Sequence, residues 1–137
     1  MGLQGGLSLW FNIKFCLYHL FSINITAAVR HSTPGLGVDI DPELVARAEA
    51  AAREAGVAHL VTARVEDVAV TDLGPATAAV SFLVPRHLKL LRSKLTTFLE
   101  RGGRLACYHY PLHGVTPSKV LTLKQEMEKN IYIYKNT

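Results

Sequence analysis

Apolar positions divide the chain into short buried runs and amphipathic stretches. ITAAVR, from Ile25 to Arg30, has the pattern of a helix end, stopped near His31-Ser32-Thr33-Pro34. Leu36 to Ile40 reads as a short buried strand. Asp41-Pro42 then starts a helix: the Asp can cap free amides, while proline, which has no N–H, suits the first helical position. Along ELVARAEAAAREAG, Leu44, Ala48, Ala51, Ala52 and Ala55 share one face, and Gly56 ends the helix. A second strand, Leu60 to Val65, runs into Glu66-Asp67. Thr77 to Val84 is an unbroken β-rich apolar run of the kind buried on both faces of a parallel sheet. Pro85 stops it, and Leu88, Leu91, Leu95, Phe98 and Leu99 mark an amphipathic helix ending at Gly102-Gly103. Another strand spans Arg104 to Tyr110. Lys119 to Gln125 and Asn130 to Lys135 alternate like an antiparallel pair closing a sheet edge. Parallel crossovers with an antiparallel end predict an α/β fold, a three-layer sheet over residues 25–137.

Residues 1–24 differ from this pattern. LSLWFNIKFCLYHLFSINITAAV holds the chain's Trp10 and most of its phenylalanine. Its length suits a membrane span, yet Lys14 near the middle costs about 2.5–3.5 kcal/mol on insertion scales, and Asn12, His19, Asn24 and Thr26 add to that. A signal peptide would want a basic start, and MGLQGG lacks the Ser/Thr of a myristoylation signal. Two expectations follow: membrane contact through residues 7–29, or a substitute for missing core.

Composition sharpens the picture slightly. With 137 residues, 49% hydrophobic and 19% charged, one folded domain is the default. The net charge of +4 is mild and its basic residues are scattered without interleaved aromatics, which argues against a nucleic-acid partner. Cys16 and Cys107 form no C-x-x-C pair and read as core thiols.

The chemistry gathers at strand ends. Asp39 closes a strand where open α/β sheets place their ligand crevice, with Ile40 beside it. An acceptor-only carboxylate there can take both hydroxyls of a ribose. Asp41 is the better candidate for the helix cap, which leaves Asp39 for a ligand. Glu66 and Asp67 end the next strand at the same edge and can accept from an adenine amino group. Val84-Pro85 ends the most buried strand, offering the site a free backbone carbonyl before the proline. His109 alternates with Tyr108 and Tyr110 on a strand. With His113 it makes two histidines, too few for zinc, and no metal is expected. No Ser/His/Asp or Cys/His arrangement has supporting context, so no catalytic residue is assigned.

GVDIDPELVARA resembles the second-strand motif of class I S-adenosylmethionine-dependent methyltransferases, VEDV the third and VSFLVP the fourth. The longer stretch VSFLVPRHLKLLRSKLTTFLERGGRLACYHYPLHGVTPSKV is similar to a subgroup: mitochondrial protein-lysine methyltransferases that act on the ATP synthase c subunit and the adenine nucleotide translocase, with bacterial relatives. NIYIYK fits that family's last strand, and the similarity runs from Ile25 to the C-terminus. The resemblance implies a Rossmann-like sheet, S-adenosyl-L-methionine as cofactor and a protein substrate with an acceptor lysine. It implies a mitochondrial location, with cytoplasm as the default otherwise. Carried onto this chain, Asp39 would hold the ribose, Asp67 the adenine amino group, with Ile40 and Glu66 beside them; Val84 and Pro85 would border the lysine channel.

One departure stands out. The resemblance implies a first strand followed by an Asp/Glu-x-Gly-x-Gly-x-Gly turn around the methionine end of the cofactor. Here no glycine occurs from Leu7 to Pro34, and Gly2, Gly5 and Gly6 open the chain, too far from Asp39 to be a displaced loop. That first strand belongs in the middle of the sheet, between the strands ending at Asp39 and Pro85, and LSLWFNI or KFCLYHLF could fill its slot. The expectation is a truncated or alternatively spliced form whose first strand and loop are missing or replaced. Its rival is a non-catalytic product acting through partner or membrane contact. A dinucleotide-dependent oxidoreductase is disfavoured, since it too needs loop glycines.

Overall fold

Two parallel ladders decide where the apolar N-terminus goes. The computed structural model describes residues 7–12, 22–74, 76–124 and 129–135. Strand β1, Leu7–Asn12, pairs on one side with β2, Gly35–Asp39, and on the other with β4, Ala76–Phe82. LSLWFN thus fills the central slot, where a missing strand would orphan two rows of backbone groups at about 1–3 kcal/mol for each buried one. KFCLYHLF, Lys14, Cys16 and the three opening glycines lie outside the described residues.

The remaining elements follow the sequence pattern. Helix α1 is Ser22–His31, α2 is Pro42–Glu54 and α3 is Pro85–Glu100. Strands β3, Val61–Val65, and β5, Arg104–Tyr108, extend the parallel sheet, and β6, Lys119–Leu123, and β7, Lys129–Lys135, close it antiparallel. The seven-stranded order is β3-β2-β1-β4-β5-β7-β6. Within the expected membrane-contact segment 7–29, the described residues are strand β1 and the greater part of helix α1. No helix among the described residues is long and apolar enough to cross a membrane.

Strand alternation sends helices to both faces. Leu36 and Val38 of β2 join the main core with the α3 stripe Leu88, Leu91, Leu95, Phe98 and Leu99. Val61 and Ala63 of β3 point the other way. Val61 packs with Ala28 of α1 and Ala52 of α2, and Ala63 with Leu44 and Ala48 of α2. Gly103 follows α3 because a Cβ there would stand 2.5 Å from a Phe98 ring carbon, closer than packed atoms tolerate.

Four details depart from the sequence reading. Pro85 opens α3 as well as ending the strand, which itself stops at Phe82. Thr77 is exposed, so β4 is not buried on both faces along its whole length. Val45, off the alanine face, is buried in α2, while Ala55 is exposed. β5 ends at Tyr108: His109 has φ +77°, a left-handed conformation that breaks the alternation expected through Tyr110. The N–H of His109 donates to the Asn130 carbonyl (2.7 Å), and that of Leu112 to the buried Tyr134 hydroxyl (2.8 Å). Cys107 is a fully buried core thiol, and burial pushes its pKa from 9.0 up to about 12.

Candidate cofactor site at the strand ends

Register places the carboxyl ends of β1, β2 and β4 level: Phe11 pairs with Val38, and Asn12 with Phe82. Asp39 ends β2 with 1% of its surface exposed. Its Oδ1 accepts the Asp41 N–H at 2.8 Å, and its carbonyl accepts the Glu66 N–H at 3.0 Å. Asp41 in turn accepts the Glu43 N–H at 2.9 Å and caps α2. The expected division of labour is thus corrected. Asp41 is the cap, but Asp39 also holds a backbone amide, because the sharp exit from β2 leaves the Asp41 N–H without a helical partner.

Beyond that exit the chain turns outward, and Ile40 is 55% exposed. Ile40, Glu66, Asp67, Val68, Ala69, His87, Leu90 and Leu91 line a cavity of about 280 Å³. Three of the expected residues therefore meet at one place: Ile40, Glu66 and Asp67. Asp39 lies next to it in sequence but does not line it, and neither do Val84 and Pro85.

Each acid in the cavity also has a local task. Asp67 Oδ1 accepts the Ala69 N–H at 2.9 Å and starts the 3₁₀ turn Val68–Val70. Glu66 Oε2 accepts from the Thr71 hydroxyl at 2.7 Å. Lys94 of α3 donates to the Val68 and Ala69 carbonyls at 3.1 and 3.0 Å, clasping the turn to the helix. His87 carries a buried Nδ1 with no hydrogen-bond partner.

Val84 and Pro85 stand at the end of β4. The Val84 carbonyl, expected to be free, accepts from His87 N–H at 3.0 Å and Leu88 N–H at 3.1 Å. The first turn of α3 uses it, so no spare carbonyl precedes the proline. The exposed His109 packs edge-on to Tyr110, ring centroids 4.5 Å apart. No group of three or more potential metal ligands occurs among the described residues.

Sequence reasoning missed Val68, Ala69, His87, Leu90 and Leu91. Leu90 left one signal: an apolar residue off the α3 stripe, 77% exposed.

The family described as ANTKMT methyltransferase domain matches residues 22–119, more than half of the chain. The chain belongs to this methyltransferase family. Its fold is the Rossmann-like sheet of class I methyltransferases, and its cofactor is S-adenosyl-L-methionine. An RNA methyltransferase from Salinibacter ruber, solved with S-adenosyl-L-homocysteine, is similar at TM-score 0.77 and 27% identity, over 94% of this chain and 79% of that one. The B. subtilis tRNA methyltransferase TrmK gives TM-score 0.66 and 12% identity over 96% and 60%. The geranyl diphosphate C-methyltransferase of Streptomyces coelicolor A3(2) gives 0.59 and 22% over 75% and 38%. Among curated proteins none matches. With RNA and tRNA enzymes among the neighbours, the expected exclusion of a nucleic-acid partner loses its support.

The residues fit this cofactor unevenly. A cavity of 280 Å³ with apolar walls and acceptors at one side suits a single heteroaromatic base, being just below the roughly 300–1,000 Å³ of drug-sized sites. The methionine end fits less well. Between Asn12 and Ser22 the chain reads IKFCLYHLF, with no glycine to let backbone approach a ligand closely; those residues lie outside the described ones.

Proposed function

We propose that this chain is a protein-lysine N-methyltransferase whose cofactor site is strong at the nucleoside end and weak at the methionine end. One observation carries the site: Ile40, from the exit of β2, and Glu66 and Asp67, from that of β3, line a single cavity. The family match, to a domain named for adenine nucleotide translocase lysine methylation, supports a protein lysine as acceptor.

S-adenosyl-L-methionine, when bound, supplies a methyl group on a sulfonium. The residues bind and orient. Asp67 and Glu66 would accept from the adenine amino group, and Ile40, Val68 and Leu91 would give the base an apolar wall. Asp39, which ends β2 beside that cavity, would hold the ribose through its acceptor-only carboxylate. Val84 and Pro85 border the acceptor channel as apolar walls. A mitochondrial location goes with this reading and is checked by fractionating cells that express the tagged chain.

A second reading, a non-catalytic form acting through a partner, is favoured by the glycine-free connection from β1 to α1. Equilibrium dialysis of the purified chain with labelled S-adenosylmethionine separates the two, followed by transfer assays on lysine peptides and on tRNA. The first reading expects measurable binding, lost in Asp39→Ala and Asp67→Ala, and label on the peptide. No binding supports the second reading, and label on tRNA alone overturns the lysine assignment.

A further inference from the structure

Strand alternation gives the sheet two faces, and they are covered unequally. On one face, Ala79 of β4, Leu105 and Cys107 of β5 and Tyr134 of β7 join the core with α3. Register fixes what points the other way. Val80 pairs with Ala106, Ala106 with Ile133 and Ile133 with Lys119; one step along, Ile131 pairs with Leu121. Helices α1 and α2 pack on this second face over β2 and β3. Over β4, β5, β7 and β6, Val80, Ala106, Ile131 and Ile133 stay partly exposed, and Leu121 is 39% exposed.

Parallel sheets bury both faces beneath helices, so hydrocarbon left open on β4 and β5 calls for a further layer. Four strands span about 14 Å at the usual spacing, and one helix with its side chains is about 10–12 Å wide. One helix is enough.

Charge selects its chemistry. The strands ATAAVSF, RLACY, KVLTL and KNIYIYK contain no acidic residue. On this face, at the end away from the cofactor crevice, Arg104, Lys119 and Lys135 are all exposed. A second copy of these strands brings no acid to meet those cations and sets like charge against like. A bilayer would want apolar side chains standing proud, whereas Ile131 and Ile133 form a floor partly buried between neighbouring strands.

We propose that the open face of β4, β5, β7 and β6 docks an amphipathic helix of a partner protein. Its apolar stripe lies on Val80, Ala106, Ile131, Ile133 and Leu121, and its acidic flank meets Lys119 and Lys135. Nothing in this surface draws on the cofactor cavity, so it stands whether or not the chain transfers methyl groups.

The test uses the full chain and two labelled helical peptides of about 18 residues, roughly the length of the strands they must cross. They share one leucine-alanine stripe and differ in their flanks, glutamate in one and lysine in the other. In fluorescence anisotropy the glutamate-flanked peptide should bind about 3–10-fold more tightly, the worth of a few exposed ion pairs, and high salt should close the gap. Lys119→Glu with Lys135→Glu, both at exposed positions, should reverse the preference. Ile133→Glu should weaken both peptides by about tenfold or more, because it sets a charge in the apolar floor. Equal affinity for the two peptides overturns the proposal, as does a preference that the double lysine variant leaves unchanged; neither result depends on Ile133→Glu folding. Binding of neither peptide overturns it outright. Self-association lost in Ile133→Glu would then assign the face to a second copy, and binding to phosphatidylserine vesicles would assign it to a membrane.

Discussion

At the centre of the sheet, Leu7–Asn12 pairs with β2 and β4 through parallel ladders, and those ladders ask for little beyond extended, apolar sequence. At the exits of β2 and β3, by contrast, Asp39, Asp41 and Asp67 each accept a backbone N–H two residues on, at 2.8–2.9 Å. Those turns work only with a short acceptor side chain at that position. The two regions border the same crevice on different terms. Pairing is generic and survives replacement of the sequence. Cradling a ligand depends on particular residues and does not, which is how a chain can keep the sheet of a methyltransferase while its β1–α1 connection has no glycine.

The largest effect should come from breaking the generic side. Trp10→Pro removes a ladder N–H from a strand flanked on both sides, at about 1–3 kcal/mol for the orphaned acceptor before any clash of the ring. Urea unfolding should show a midpoint shifted down by at least that much or no cooperative transition. An unchanged midpoint would mean that the centre of the sheet does not need β1.

The packed half beyond β4 can be read with alkali. The buried Cys107 thiol ionises near 12 in the folded chain and near 9.0 when exposed. Between those values the unfolded chain has lost a proton that the folded one keeps, so stability is full below about pH 9 and falls by up to about 1.4 kcal/mol per unit above it. Burial raises Tyr134 in the same direction. Cys107→Ala should flatten the slope of urea midpoint against pH from 9 to 10.5; an identical slope would show that the thiol is not what titrates.

Restoring specific residues should sharpen the contrast. Asn12→Asp with Lys14→Gly, Cys16→Gly and Tyr18→Gly rebuilds an acidic, triple-glycine connection after β1. It should tighten S-adenosylmethionine by about tenfold, the worth of a charge-assisted hydrogen bond or two, and leave adenosine unaffected. A parallel gain for both ligands in calorimetry would contradict the split between the two ends of the site. The smallest effect is expected at the cap. Asp41→Ala should lower stability by about 0.5–2 kcal/mol in thermal melts with little change in adenosine affinity, whereas Asp39→Ala should remove the binding.

Much of the fold was legible because it is written locally. The Asp41-Pro42 start, the α3 stripe and the two alternating tail segments each carry their own period or cap, and the structure follows them. The central strand was half legible: apolar composition marked two stretches of the N-terminus, but a ladder sets no side-chain code that would choose LSLWFN over KFCLYHLF. The candidate cavity was legible where a strand exit announces itself with acids, as at Glu66-Asp67. It was opaque where function depends on what faces what. His87 sits in a helix whose pattern accounts for it as a polar position, and only the fold brings it to the same cavity as Asp67. The Val84 carbonyl failed for the converse reason. Proline after a strand hides the helix that begins there and claims the acceptor.

The Lys94 clasp bears on how ligand affinity is reached. By holding the Val68–Ala69 carbonyls against α3, it sets the width of the cavity while the chain folds, so a planar base entering it orders little that is still loose. Acetylation or methionine substitution at that lysine would change no wall residue and should still slow capture, because the gap between turn and helix would have to be closed anew by each arriving molecule.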